Sequence, residues 1–224
     1  MVTEEFAGAQ SPHLDTDEKA QAADHSTPRA LVIHEIVREE GEAALRRTGV
    51  ALGWSAFAAG LSMGFSFLTQ AVLQASLPDS SWRHLVTSFG YCIGFVIVIL
   101  GRQQLFTEST LTALLPVLTR PSTDIFLRTI RLWVIVLLAN LIGTFIFAAL
   151  LTVPDVFRPE VIQAFAELAT ETTTADFLST LLRALFAGWL IALMVWLLPS
   201  AQSARLLTIA LITYVVAVCH LSHI

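Results

Sequence analysis

The sequence predicts an all-α protein built across a lipid bilayer, and three observations carry that reading. The chain is 55% hydrophobic and only 14% charged. Its mean hydropathy of +0.69 is far above that of a soluble domain of ordinary composition. Its apolar residues also fall in uninterrupted runs, behind a polar N-terminal stretch, and about 20 such residues cross about 30 Å of hydrocarbon as a helix. This balance argues against a soluble enzyme. The net charge of −5 comes with one lysine, Lys19, against twelve arginines, and no basic block is long enough to track phosphates. Nucleic acid is not an expected partner.

Residues 1–27 are mixed polar, with Pro12, Asp15, Asp17, Glu18 and Asp24 and few large apolar side chains. Such a segment cannot offset its own ordering entropy, so a disordered tail is predicted. It lacks the apolar centre of a cleavable export signal, which leaves the first span as the anchor. In residues 28–48, Ser26 or Thr27 can cap and Pro28 can open a helix through Arg47. Leu31, Ile36 and Leu45 alternate there with Glu35, Arg38, Glu39, Glu40, Arg46 and Arg47. An amphipathic helix at the cytoplasmic membrane surface is expected.

Residues 49–224 form the membrane domain. Span one is Val50 to Leu73, with no ionisable residue. Span two, Leu85 to Leu118, is too long for one crossing and is interrupted by Gly101, Arg102, Gln103 and Gln104, then by Thr107, Glu108, Ser109 and Thr110. Span three runs from Leu132 to Leu151, and an acid-rich connection from Pro159 to Asp176 has room for one short surface helix. Span four covers Phe177 to Leu198 and ends at Pro199; span five starts near Arg205 or Leu206 and is still running at Ile224. Arginines concentrate before span one (Arg29, Arg38, Arg46, Arg47) and after span two (Arg120, Arg128, Arg131). Positive charge on short loops marks the cytoplasmic side, so a cytoplasmic N-terminus is expected.

Several residues in these spans could carry chemistry. Cys92 and Cys219 lie in apolar runs with no metal-ligand spacing, so they read as buried small hydrophobes and neither metal nor cofactor is expected. Gly60 with Gly64, and Gly90 with Gly94, form small-xxx-small pairs that let helices approach closely, or that line a pore. The break at 101–110 is either an ordinary loop or irregular backbone at membrane depth, which is tolerated only inside protein or along a water-filled cavity. Arg102 and Glu108 flank it and can pair with each other. His220 and His223 follow the apolar stretch Leu206 to Cys219; an imidazole at that depth is a functional candidate, and one of the two could instead sit at the membrane surface.

The run Gly101-Arg102-Gln103-Gln104-Leu105-Phe106-Thr107-Glu108 after Gly90 and Gly94 resembles the broken second helix of formate/nitrite transporters, and within them a less studied inner-membrane branch. Gly188-Trp189-Leu190 and Ser222-His223 extend the likeness, which covers about Ala30 to Ile224. The resemblance implies an aquaporin-like bundle of six helices in two inverted three-helix repeats, a pore in each protomer, and a homopentamer. It implies passage of small monovalent anions such as formate or nitrite, or their conjugate acids, across the inner membrane.

Residue by residue, the resemblance assigns Leu105 and Phe106 to a cytoplasmic constriction and Thr107 to contact with the central histidine or its substrate. It assigns Tyr91, Phe95, Ile191 and Val216 to the apolar pore wall and His223 to the central histidine. The chain departs from better-known members in having Gly188 for an asparagine, Ser222 for a glutamate, Glu108 for a small residue, and Thr172 nearest to a vestibule lysine. By the same resemblance, a chain stopping at Ile224 holds about five of six spans and looks truncated. The expected function is anion transport coupled to protons through His223. The alternatives are a channel for a small neutral solute and a membrane subunit that does not transport.

Overall fold

Backbone N–H and C=O groups have no water to bond in hydrocarbon, so a chain crossing it must satisfy them internally. In the computed structural model, which describes residues 11–26, 28–173 and 176–221, all regular structure among those residues is accordingly helical. The first helix, α1 (Thr16–His25), lies in the segment predicted to be disordered. Its cause is a reciprocal cap: the Glu18 amide donates to Asp15 Oδ1 at 2.8 Å and the Asp15 amide to Glu18 Oε2 at 2.9 Å.

Helix α2 (Ala30–Arg46) buries Ile33, Val37, Gly41 and Leu45, one residue per turn. That stripe docks onto the membrane helices α5 (Phe106–Thr119) and α8 (Phe177–Ala201) instead of resting on a lipid surface alone. Arg38 is only 8% exposed, and its guanidinium holds Glu35 through Nε at 2.9 Å and Nη2 at 2.7 Å and also bonds Glu42.

The spans follow as α3 (Gly49–Ser76), α4 (Arg83–Leu100), α5 (Phe106–Thr119), α6 (Thr123–Leu151), α8 (Phe177–Ala201) and α9 (Arg205–Val218), with α7 (Pro159–Thr173) between α6 and α8. Four stretches among the described residues are long and apolar enough to cross a membrane; the last, Phe177–Val218, is α8 and α9 joined by a short turn at Gln202–Ala204. Helix α6 starts well before the predicted Leu132. Ser122 caps it by accepting from the Ile125 amide at 3.2 Å, and Asp124 pairs with Arg128 at 2.9 Å, so polar residues begin the helix before the apolar run. Pro199 lies inside α8 and does not end it.

Helix α3 is central and packs on α4, α6 and α7; α9 packs on α4 and α8. Close approach depends on glycine. A methyl at Gly60 would run into the Asn140 carbonyl oxygen, and one at Gly143 would sit 2.5 Å from the Phe57 carbonyl oxygen, so α3 and α6 cross backbone to backbone. Gly90 is equally tight, 2.7 Å from the Gln70 amide. At one end α2 and α5 cover the bundle. At the other, Val161 and Ala164 of α7 bury against Ala71 near the end of α3.

Two outcomes follow. Gly60→Val should destabilise the protein by at least about 2 kcal/mol, because a backbone carbonyl cannot rotate away; a thermal melt in detergent matching the parent would contradict this. For α2, the hydrogen bond from Arg38 holds the Glu35 carboxyl below its ordinary value of 4.5. A depressed carboxyl stabilises above its unfolded value and loses that contribution as pH falls through the folded one. Amide exchange in α2 should therefore stay slow down to about pH 4.5 and rise only below it.

Candidate functional site

Between α4, α8 and α9 lies a buried apolar cluster. Phe95 and Val98 of α4, Ile191 and Met194 of α8, and Ile209 and Val216 of α9 are all fully buried in it, with Leu105 at 4% exposure and Tyr91 packed against it. The Tyr91 and Phe95 rings are 5.3 Å apart. The structure thus brings together Tyr91, Phe95, Leu105, Ile191 and Val216 from four separate stretches of chain. Phe106 is not among them: it packs on the other side, against the cluster of Leu45, Leu52, Ala56, Ala113, Leu132 and Val136. Leu105 stands outside the helix in extended backbone and Phe106 begins α5, so consecutive side chains part in different directions.

The cluster has a helix C-terminus at each end, and at the first the chain goes on into another helix, α5. At the first, the Gly101 amide bonds Ile97 O, the Arg102 amide bonds Ile99 O and the Gln103 amide bonds Val98 O, with Arg102 left-handed at φ 50°. At the second, the Cys219, His220 and Leu221 amides bond the Val215, Ala217 and Val216 carbonyls in the same pattern, with His220 at φ 51°. Both are helix C-terminal turns with crossed carbonyl partners. α4 and α9 therefore end alike, as two halves of a repeated plan would.

The first break is held from outside. Asn140 of α6 donates to Ala56 O at 2.7 Å and to Gln104 O at 3.0 Å, and its Oδ1 accepts from the Phe106 amide at 2.9 Å. Ser55 Oγ accepts from the Gln104 amide at 3.1 Å, and Trp133 Nε1 donates to Ser109 O at 3.2 Å. Backbone groups freed by the interruption are thereby satisfied from the two neighbouring spans. Neither Asn140 nor Ser55 was singled out from the sequence; the available signal was one amide side chain in an otherwise apolar span.

Polar groups gather at this same end. Among the described residues, the buried side-chain atoms without a hydrogen-bond partner are Gln103 Oε1, Thr107 Oγ1 and Arg205 Nε. Gln103 and Thr107 flank Leu105, and Arg205 lies one helical turn before Ile209 of the apolar cluster. The ion pair expected between Arg102 and Glu108 does not form. Arg102 is exposed in the left-handed turn, while Glu108, in the first turn of α5, interacts electrostatically with Arg205 and Glu40. Gly188 has open space where a side chain would stand, so packing does not demand a glycine there. His223, with Ser222 and Ile224, lies outside the described residues.

Comparison with known proteins matches the family described as Formate/nitrite transporter over residues 31–224. The inner membrane protein YfdC of Escherichia coli (strain K12) is 41% identical over 201 residues, which are 90% of this chain and 65% of that protein. The chain therefore spans less than two thirds of the length of this curated relative. Among solved structures, a pentameric formate channel with formate bound has a TM-score of 0.68 at 18% identity, covering 78% of this chain and 70% of that one. An FNT family ion channel has a TM-score of 0.71 at 20% identity, covering 85% of this chain and 78% of that one. At such identities these structures share the fold.

The Asn140 clamp makes a direct prediction. Asn140→Leu leaves the Phe106 amide and the Ala56 and Gln104 carbonyls without this partner, at about 1–3 kcal/mol for each group that stays unsatisfied. A loss of at least about 3 kcal/mol in detergent unfolding is expected. Parent-like stability would show that the break is held by something else.

Proposed function

The chain belongs to the formate/nitrite transporter family, and from that premise we propose that it passes small monovalent anions of the formate or nitrite kind across the inner membrane. The observation that carries the reading is the buried apolar cluster between two like-shaped helix C-terminal turns, with the unpartnered Thr107 hydroxyl beside one of them. Residues 49–224 are the transport domain on this reading. The N-terminus faces the cytoplasm, with the arginine-bearing α2 beneath the pore, and five copies associate through exposed apolar helix faces.

The mechanism follows from solvation. A carboxylate entering a dry apolar slit loses several kcal/mol of hydration even after relaxation, and the neutral acid loses far less. The fully buried side chains around Phe95, Leu105 and Ile191 are apolar and do not compensate the ion. His223, at the segment following the second break, and Thr107, at the first, would meet the anion at the two ends of this barrier. Proton sharing with His223 then lets the substrate cross as its neutral acid, so flux is coupled to protons. The constriction is assigned to Leu105 and not to Phe106, which packs away from the cluster.

Reconstituted into liposomes, the protein should carry formate or nitrite faster as the pH on the entry side falls. His223→Ala should slow formate flux at least about tenfold, equivalent to about 1.4 kcal/mol on the barrier. Flux unchanged by that substitution would refute the histidine's role. The buried apolar cluster also suits a small neutral solute, and glycerol-driven liposome swelling faster than formate uptake would favour that second reading.

A further inference from the structure

The two breaks have the same backbone pattern but different supports. At the second, the amides of Cys219, His220 and Leu221 use the carbonyls of Val215, Ala217 and Val216. That leaves Val218, the last residue of α9, whose carbonyl has no N–H of its own helix ahead of it. The partner comes from α4: His84 Nε2 lies 3.1 Å from Val218 O. A carbonyl only accepts, so Nε2 carries the proton and the imidazole is the donor. The ring also stacks on His220, with centroids 4.2 Å apart and planes 10° from parallel. His220 is the residue in the left-handed conformation, which a non-glycine side chain adopts only where its surroundings hold it.

The donor itself is fixed in place. The Thr87 and Ser88 hydroxyls both bond the His84 carbonyl, at 3.1 and 2.8 Å, which ties the first turn of α4. Farther along the same antiparallel contact, Cys92 Sγ bonds Ala210 O at 3.3 Å and keeps α4 in register with α9. Neighbouring Arg83 is occupied by Asp79 at 3.1 Å.

We propose that His84 is the positioning residue of the second break: its Nε2–H closes the C-terminus of α9, and its ring holds His220 in the left-handed turn. The turn Cys219–Leu221 that ends α9 is then fixed by α4. Where the Proposed function holds, His84 acts on transport through this turn without touching substrate.

The test compares His84→Ala, His84→Gln and His84→Phe in bilayer-reconstituted protein. Amide exchange over 215–221 should speed up about tenfold in the alanine variant, as expected for a lost hydrogen bond, and return to within about threefold of the parent in the glutamine variant, whose amide can donate to Val218. The phenylalanine variant keeps a ring to stack but no donor and should exchange like alanine. Nitrogen-15 NMR of the parent should show the His84 ring protonated at Nε2. Formate flux should follow the same order, falling about tenfold in alanine and recovering in glutamine. Parent-like exchange in His84→Ala, or no recovery in His84→Gln, overturns the assignment. If exchange behaves as stated while the parent carries no formate or nitrite, the role of His84 stands and the transport reading falls.

Discussion

The side-chain amide of Asn140 is the interaction on which the rest of the architecture depends. A helix that stops at Leu100 and resumes at Phe106 inside an apolar bundle exposes backbone groups that lipid cannot satisfy. Asn140 bonds two of them, donating to the Gln104 carbonyl in the break and accepting from the first amide of α5, and it also donates to the Ala56 carbonyl of α3. Its position in turn requires α3 and α6 to cross almost in backbone contact, which Gly60 and Gly143 permit. The glycines, the amide and the interruption are therefore one structural unit. Removing any of them leaves the others without a purpose or without a partner.

The same unit sets up the apolar cluster. Once the chain is released from α4, Leu105 leaves the helix and drops against Phe95, Ile191 and Ile209, while α5 starts afresh in another direction. An unbroken helix would have carried Leu105 and Phe106 round one axis, about 100° apart. The break separates them fully, so one residue lines the inner cluster and the next supports the outer one with Leu52, Ala113 and Val136.

These relations also explain what could be read in advance. Lipid imposes helices, so spans were legible from apolar runs alone, and the interruption was legible because Gly101 to Gln104 are costly residues in such a run. Tyr91, Phe95, Leu105, Ile191 and Val216 were grouped through likeness to a family, and no periodicity rule would have joined α4 to α8 and α9. Asn140 was not legible: one amide in a long apolar helix could face lipid, protein or another copy, and only its contacts distinguish these. Phe106 packs apart from these residues because position in a motif carries no direction once the backbone leaves helical geometry. The Arg102 and Glu108 pairing failed for the same reason, since a left-handed residue turned one partner outward. Helix α1 was missed although Asp15 and Glu18 are a capping pair, because composition outweighed a local signal in the reading of that segment.

One physical penalty governs both the scaffold and the permeant assigned to it. A polar group in a dry interior is tolerated when a partner travels with it, and the partner must be built in before the group arrives. The fold meets this condition for its own backbone with Asn140 and Ser55 at one break. A mobile ion cannot bring such a scaffold across the cluster between Leu105 and Val216, whose fully buried side chains are apolar. On the proposed reading its compensation is small enough to move with it, and a proton is the smallest available. On that reading, polar groups left without partners are useful where the permeant would wait, at the edge of the cluster, which is where the Gln103, Thr107 and Arg205 atoms lie.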